Sequence, residues 1–229
     1  MRSRLTLACG LLALWAVASV EMAAQPEPIS VEVAPFRSVQ LRHGGHAILR
    51  YGTTQRVTFL KGSPDHTEVT VTSGDGLVID KCRRKCARGY ELEIEIVTPE
   101  LARVSVAQGG ILQSRGSFPR QAGIDATVDN GGTVDIRSMS VGSVTASVLS
   151  GGRILVRPLT AMSASVVEGG NITYWGDPRV TQSIQHGGVI TRGVPSEADQ
   201  PLSEVSPAIA PLHEIEPPAP TRTDRSLRL

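Results

Sequence analysis

Five pairs of adjacent glycines divide the second half of the chain into units of similar length. The pairs begin at Gly109, Gly131, Gly151, Gly169 and Gly187, so the intervals between them are 22, 20, 18 and 18 residues. A period of about 20 to 50 residues is typical of repeat architectures, in which each unit stacks on its neighbours. The glycine spacing therefore predicts a stack of short units.

Apolar and polar residues alternate on both sides of each glycine pair. The positions three residues before and three residues after the first glycine are apolar in every unit: Val106, Val128, Val148, Val166 and Ile184 before, and Leu112, Val134, Ile154, Ile172 and Ile190 after. The position four residues before carries a hydroxyl in every unit: Ser105, Thr127, Ser147, Ser165 and Ser183. Alternation with a period of two is typical of β-strands that bury one face.

One such unit cannot bury its apolar row by itself. Each inward side chain contributes about 1.5–3 kcal/mol when it is fully buried, whereas ordering the backbone costs about 1–2 kcal/mol per residue. Stacking of successive units has to supply the missing burial. The sequence therefore predicts an all-β fold, a right-handed β-solenoid (β-helix) whose coils of about 20 residues span residues 101–193.

Residues 29–100 are also rich in strand patterns, but their order is less regular. Gly44-Gly45 fits part of the same template, and Leu92, Ile94 and Ile96 alternate with glutamates. We expect this N-terminal β region to form early coils or to cover an end of the stack, because uncovered strand edges invite association. Residues 29–193 are thus predicted to form one continuous domain.

The two ends of the chain differ from this domain. Residues 1–24 have the pattern of a signal peptide, with Arg2 and Arg4 before an apolar run; a retained N-terminal anchor is the alternative. Residues 194–229 are rich in Pro, Ser, Glu and Ala without strand alternation, which predicts a disordered tail. These features predict an exported protein of the bacterial periplasm or cell surface, not integral to the membrane once the signal is removed.

Cys82 and Cys86 enclose a strongly basic loop that contains Arg83, Arg84 and Lys85. In an exported protein the cysteine pair predicts a disulfide. A metal or redox pair is the alternative, but no further ligands lie in register with it. We predict the three basic residues as candidate ligand contacts for an anionic polymer such as envelope polysaccharide; a solvated loop is the alternative.

The segment from Gly169 to Gly188 carries a further motif. Ile172, Tyr174, Gly176 and Pro178 form Ile-x-Tyr-x-Gly-x-Pro between two glycine corners. This arrangement resembles the head GIN domain family, whose members are described as auto-transporter adhesin-like. The resemblance spans about residues 31–193, and it implies an exported bacterial β-solenoid of largely unknown function without catalytic residues. The cysteine loop and the tail depart from the family pattern.

Tyr174 and Trp175 fall on opposite phases of the predicted strand. Tyr174 takes the inward phase, so we expect it in or just below the core. Trp175 takes the outward phase, so we expect an exposed ring and a candidate ligand contact.

No motif in the sequence identifies a reaction, a cofactor or a metal site. Asp125, Asp129 and Asp135 lie in one unit, but neighbouring units carry no acid in the same columns, as a catalytic carboxylate pair would need. The formal net charge of +1 gives no electrostatic argument for nucleic-acid binding.

The sequence therefore favours a non-catalytic envelope protein, an adhesion, scaffold or surface-interaction module that binds envelope polysaccharide or another envelope protein. One alternative is a carbohydrate-active enzyme on the same scaffold. The other is a periplasmic accessory protein that binds a partner through strand edges or the C-terminal tail. The oligomeric state stays open.

Overall fold

The computed structural model describes residues 28–82, 86 and 88–195. The predicted signal peptide, the basic residues 83–85 and the predicted tail from residue 196 onward lie outside the described residues. Within the described ranges the chain forms seventeen β-strands and no α-helix. The predicted all-β class is confirmed.

Seven strands precede the region of glycine units: β1 Ile29–Val31, β2 Ser38–Arg42, β3 His46–Tyr51, β4 Arg56–Lys61, β5 Glu68–Val71, β6 Gly76–Asp80 and β7 Glu93–Thr98. Ten strands follow: β8 Arg103–Ala107, β9 Ile111–Ser114, β10 Gln121–Asp129, β11 Thr133–Asp135, β12 Val141–Ser150, β13 Arg153–Val156, β14 Pro158–Glu168, β15 Asn171–Tyr174, β16 Arg179–Ile184 and β17 Val189–Arg192.

The strands form two large sheets. The first sheet has the order β1-β4-β7-β3-β9-β11-β13-β15-β17, and the second has the order β16-β14-β12-β10-β8-β2-β6-β5. From β8 onward, consecutive strands alternate between the two sheets, and neighbours within each sheet are parallel. Each glycine unit therefore contributes one strand to each sheet.

The strands pair in the register that the glycine alignment predicts. In the second sheet Val128 lies opposite Val106 and Val148, and Ala146 lies opposite Ala126 and Ala164. These side chains are buried between the sheets, in one hydrophobic cluster that extends from Phe36 to Ile172. The column ends at Ile184, which is 45% exposed because β16 is an edge strand.

The glycine corners stack directly on one another. The carbonyl oxygen of Gly132 accepts a hydrogen bond of 2.9 Å from the amide of Arg153 in the next unit. Gly152 has φ +101°, and a Cβ there would lie 2.9 Å from that same oxygen and 2.5 Å from Val128 Cγ1. Gly45 joins this column, since its carbonyl accepts a hydrogen bond of 2.8 Å from the amide of Ile111. The second glycine of a corner is required because a side chain would meet the previous corner.

The N-terminal strands extend both sheets beyond the glycine units. β2 and β3 pair in parallel with β8 and β9, so they continue the two sheets. β4 and β1 then add to the first sheet in antiparallel orientation, and β5 does the same in the second sheet. This end therefore finishes in antiparallel strands, whereas the opposite end finishes in the parallel strands β16 and β17.

Candidate functional site

Trp175 is buried, and the predicted exposure of its ring is wrong. The ring is only 2% exposed, although it starts from the outer face of the first sheet. It lies over Gly193, the residue that follows β17, where a Cβ would come within 2.3 Å of Cε2. Its Nε1 donates a hydrogen bond of 2.8 Å to the carbonyl oxygen of Val194. Trp175 does start from the outer face, as its strand phase predicts. Because Gly193 has no side chain, the ring can pack against the sheet instead of projecting into solvent.

Trp175 also covers part of the outer face on its other side. Leu155 projects from the same face one strand earlier, and it is fully buried in a small cluster with the tryptophan, apart from the main core. The guanidinium of Arg137 lies 5.1 Å from the ring centroid, a cation–π distance. Tyr174, on the inward phase, is partly buried and packs against the core as predicted.

Asp135 is engaged in a buried ion pair. Arg137 donates from Nε to Oδ1 at 2.9 Å and from Nη2 to Oδ2 at 2.8 Å, and each side chain is only 5% exposed. The backbone amide of Arg137 adds a hydrogen bond of 3.1 Å to Oδ1. Such a bidentate pair fixes the orientation of the carboxylate. Asp135 therefore has a structural role on this face.

Arginine recurs at one outward position of the first sheet. Arg50, Arg115, Arg137 and Arg157 each stand six residues after the first glycine of a corner, and the strand register places them in one column. We call these four residues the arginine column. Trp175 and Gly193 continue it, since the amide of Trp175 bonds to the carbonyl of Val156 and that of Gly193 to the carbonyl of Tyr174. The arginine column is not apparent from the inward positions or the hydroxyl positions; its signal in the sequence is an arginine six residues after the first glycine of a pair.

A cleft of about 210 Å³ lies where the arginine column ends. It is lined by Arg157, Trp175, Gly176, Arg192, Gly193 and Pro195. Arg192 also makes an exposed ion pair of 3.5 Å with Asp177. The cleft thus joins one aromatic ring to two guanidinium groups, an arrangement suited to a carboxylate-bearing group.

The outer face of the second sheet carries hydroxyl groups in register. Thr145, Ser163 and Thr181 lie opposite one another on β12, β14 and β16 and are exposed. A second column lies two residues further along the strands and is partly buried in all strands but the last: Ser105, Thr127, Ser147, Ser165 and Ser183. We call the two columns the hydroxyl face. Strands about 4.7–4.9 Å apart give it a regular spacing.

The cysteine loop contains the predicted disulfide. Cys82 and Cys86 are joined, with their Cα atoms 6.0 Å apart. Arg83, Arg84 and Lys85 lie outside the described residues, so their role as ligand contacts stays a prediction. Beside the loop, His43 makes a contact of 2.8 Å from Nδ1 to Asp80 Oδ1.

His46 stands in a polar cleft of about 290 Å³ near the start of the first sheet. Burial lowers the pKa of His46, and Arg115 acts in the same direction, whereas Glu93 opposes them. The Nδ1 atom lies 3.7 Å from Glu93 Oε1. Nε2 is buried and has no hydrogen-bond partner among the described residues.

The largest of these clefts has a volume of about 550 Å³ and contains the acids Asp75 and Glu100. Glu100 makes an exposed ion pair of 3.3 Å with Arg37. In the described part of the chain, no group of three or more His, Cys, Asp or Glu side chains is arranged to hold a metal ion. No helix among the residues placed by the structure is long and apolar enough to cross a membrane.

No family model matches this sequence, and no curated protein matches it significantly. The resemblance to the head GIN domain family therefore stays a prediction. Among solved structures, the chain is similar to a "putative adhesin" from Bacteroides fragilis, with 18% identity, 72% of this chain and 95% of that chain covered, and a TM-score of 0.38. A "putative cell adhesion protein" from Clostridium sporogenes shows 11% identity, 72% and 99% coverage, and a TM-score of 0.35. A "putative lipid binding protein" from Parabacteroides distasonis shows 14% identity, 75% and 98% coverage, and a TM-score of 0.30.

Proposed function

We propose that this protein is a non-catalytic, exported bacterial envelope protein whose residues 29–193 form one β-solenoid domain. The alternation of parallel strands between two sheets, in constant register, supports the solenoid. Residues 1–24 would direct export to the periplasm or cell surface, and residues 194–229 would form a disordered tail. The domain would act as an adhesion, scaffold or surface-interaction module.

The hydroxyl face carries this proposal. Each hydroxyl group can both donate and accept a hydrogen bond, and β-branched threonine holds its hydroxyl in few rotamers. Repeated hydroxyls at strand spacing suit a partner that is itself polar and repetitive, such as a polysaccharide of the cell envelope. Thr145, Ser163 and Thr181 are exposed members of this face on three neighbouring strands.

The experiment measures binding of the full chain to purified envelope polysaccharide. Thr145→Val, Ser163→Ala and Thr181→Val together remove three hydroxyl groups without adding bulk. Each net hydrogen bond contributes about 0.5–1.5 kcal/mol, so we expect affinity to fall by at least tenfold. Thr173→Val, on the outer face of the first sheet, is the matched control. Unchanged affinity in the triple variant, or no saturable binding to any envelope polysaccharide, would refute the proposal.

The basic loop supplies a second contact in this proposal. Arg83, Arg84 and Lys85 would add electrostatic attraction to an anionic polysaccharide, so binding should weaken as salt rises. Replacing all three by glutamine should remove most of this salt dependence. A salt dependence that is the same in wild type and variant would exclude the loop from the contact surface.

The open strand edges favour a second candidate, an accessory protein that pairs with another envelope protein. Among the residues that the structure places, β16 and β17 are the last strands of their sheets, and Ile184 and Val189 are 45% and 47% exposed there. Partner strands commonly add to such edges. Ile184→Lys should abolish capture of a specific envelope partner, whereas Leu149→Lys, on an interior strand, should not; equal capture by both variants would exclude edge pairing.

A further inference from the structure

The described chain ends beside the arginine column. The amide of Gly193 donates a hydrogen bond of 2.9 Å to the carbonyl oxygen of Tyr174, and the carbonyl oxygen of Val194 accepts the bond from Trp175. Pro195 then forms a wall of the 210 Å³ cleft that Arg157 also lines. Any continuation of the chain therefore starts next to the last arginine of the column.

The residues that follow have the opposite charge. Glu197, Asp199 and Glu204 bring three carboxylates within eight residues, and no lysine or arginine occurs between Pro195 and Arg222. Guanidinium and carboxylate groups form strong, directional pairs. Arg137 is already engaged in its buried pair with Asp135, so the exposed arginines Arg157 and Arg115 are the ones open to contact from outside.

The following segment is also long enough to pass along the column. Neighbouring strands lie about 4.7–4.9 Å apart, so Arg115 is about 19 Å from the strand of Gly193, four spacings away. Residues 196–204, if extended, span about 30 Å at 3.3 Å per residue. Pro201 favours an extended conformation for the residue before it. The segment is therefore long enough to run from the exposed Arg157 to the exposed Arg115, past the buried Arg137.

We propose that the acidic segment 197–204 of this same chain docks along the arginine column, covering the outer face of the first sheet. Charge complementarity and the position where the described chain ends both identify this segment as the occupant. Docking would cover the outer face of the first sheet. A partner would then bind the outer face of the second sheet, which carries the hydroxyl groups. This inference goes beyond the proposed function, and it restricts the disordered part of the proposed tail to the residues after 204.

The experiment is millisecond hydrogen exchange on the full chain, with residues 208–221 as an internal reference. In wild type we expect amides of residues 197–204 to exchange about tenfold more slowly than that reference, the ratio that about 1.4 kcal/mol of docking free energy gives. Arg157→Gln should remove the protection, and so should Glu197→Gln, Asp199→Asn and Glu204→Gln combined. Arg179→Gln, an exposed arginine of β16 in the second sheet, is the matched control. Far-UV circular dichroism confirms that each variant is folded.

Salt and concentration separate this contact from others. The protection should decrease as ionic strength rises from about 0.01 M to 1 M, because the Debye length falls from about 30 Å to 3 Å. Exchange as fast as the reference in wild type overturns the proposal, and so does protection that Arg157→Gln leaves unchanged. Protection that grows with protein concentration assigns the contact to a second copy and overturns docking within one chain.

Discussion

The two glycines of a corner should differ sharply in their tolerance of a methyl group, and Gly151 and Gly152 give the comparison. Gly151 has φ +67°, and a Cβ there would meet no atom within 4 Å. Gly152 has φ +101°, and its Cβ would lie 2.5 Å from Val128 Cγ1 and 2.9 Å from the carbonyl oxygen of Gly132. Alanine at either position is strained in its backbone, but only alanine at 152 also collides with the previous unit.

The magnitude follows from these contacts. Gly151→Ala costs about 1–2 kcal/mol for the left-handed conformation, and it regains about 0.4–1 kcal/mol because the unfolded chain loses freedom. We therefore expect a loss of about 1 kcal/mol. Gly152→Ala costs about 1–3 kcal/mol for its backbone and about 1–3 kcal/mol for overpacking, so with the same gain of about 0.4–1 kcal/mol from the unfolded chain the net loss should be about 3 kcal/mol. The clash involves a backbone carbonyl as well as a side chain, so rotation of Val128 alone cannot relieve it.

Urea unfolding followed by far-UV circular dichroism measures both variants. A loss of 1 kcal/mol lowers the thermal midpoint of a domain of this size by about 2–4 °C, so heating gives an independent check. Val128→Ala combined with Gly152→Ala should destabilise less than the sum of the single changes, because the valine methyl is one of the clashing groups. Equal losses at the two glycines, or a loss below about 1 kcal/mol for Gly152→Ala, would refute the stacked-corner argument.

Three further predictions concern the outer face of the first sheet and His46. Asp135→Asn removes the carboxylate that faces a buried guanidinium, so it should destabilise the protein by about 3–5 kcal/mol in urea unfolding. The control Asp125→Asn breaks an exposed pair with Arg103 and should cost at most about 1 kcal/mol. Similar losses in the two variants would contradict the importance of the buried pair. Gly193→Ala should displace the ring of Trp175 and shift its emission to longer wavelength, measured in a Trp15→Phe background, and an unshifted spectrum would show that the ring does not need the glycine. Burial lowers the pKa of His46, so the unfolded chain binds this proton more tightly. The free energy of unfolding should therefore fall as pH drops through 6.5 towards the lower folded pKa, and His46→Gln should flatten this part of the profile; an unchanged slope would exclude His46 as its source.

The glycine pairs and the period-two alternation were enough to predict the regular part of the fold. Both signals are local and repeat in each unit. The pairing of inward residues such as Val128 and Val148 can therefore be predicted without knowledge of the tertiary structure. The order of the N-terminal strands could not be read in this way. β2 pairs with β6 and β8, and β3 pairs with β7 and β9, because strands distant in sequence insert between the early strands. Such pairings depend on long-range contacts that no local pattern records.

The candidate site shows a different limit of sequence reasoning. Strand phase places Trp175 on the outer face, but it does not determine whether the ring projects into solvent or packs against the sheet. The orientation of the ring depends on Gly193, just after β17, and on Leu155 in β13, because the ring packs against both residues. The arginine column, in contrast, is visible in the sequence at a fixed distance from each glycine pair. An alignment of the outward positions of successive glycine units is therefore enough to predict the arginine column.

The last described glycine unit differs from the earlier units at two inward positions. Its strands keep the register of the earlier units, but Gln182 stands where the preceding units have Ala126, Ala146 and Ala164, and Arg192 stands where they have Ile136, Val156 and Tyr174. A further strand packed on this edge of the sheets would have to bury an amide and a guanidinium, which costs free energy unless both find partners. Terminal units with a polar outer side are what repeat architectures need at an open end. The same change of residues leaves Arg192 near the arginine column, so the end of the stack adds positive charge just before the acidic segment begins.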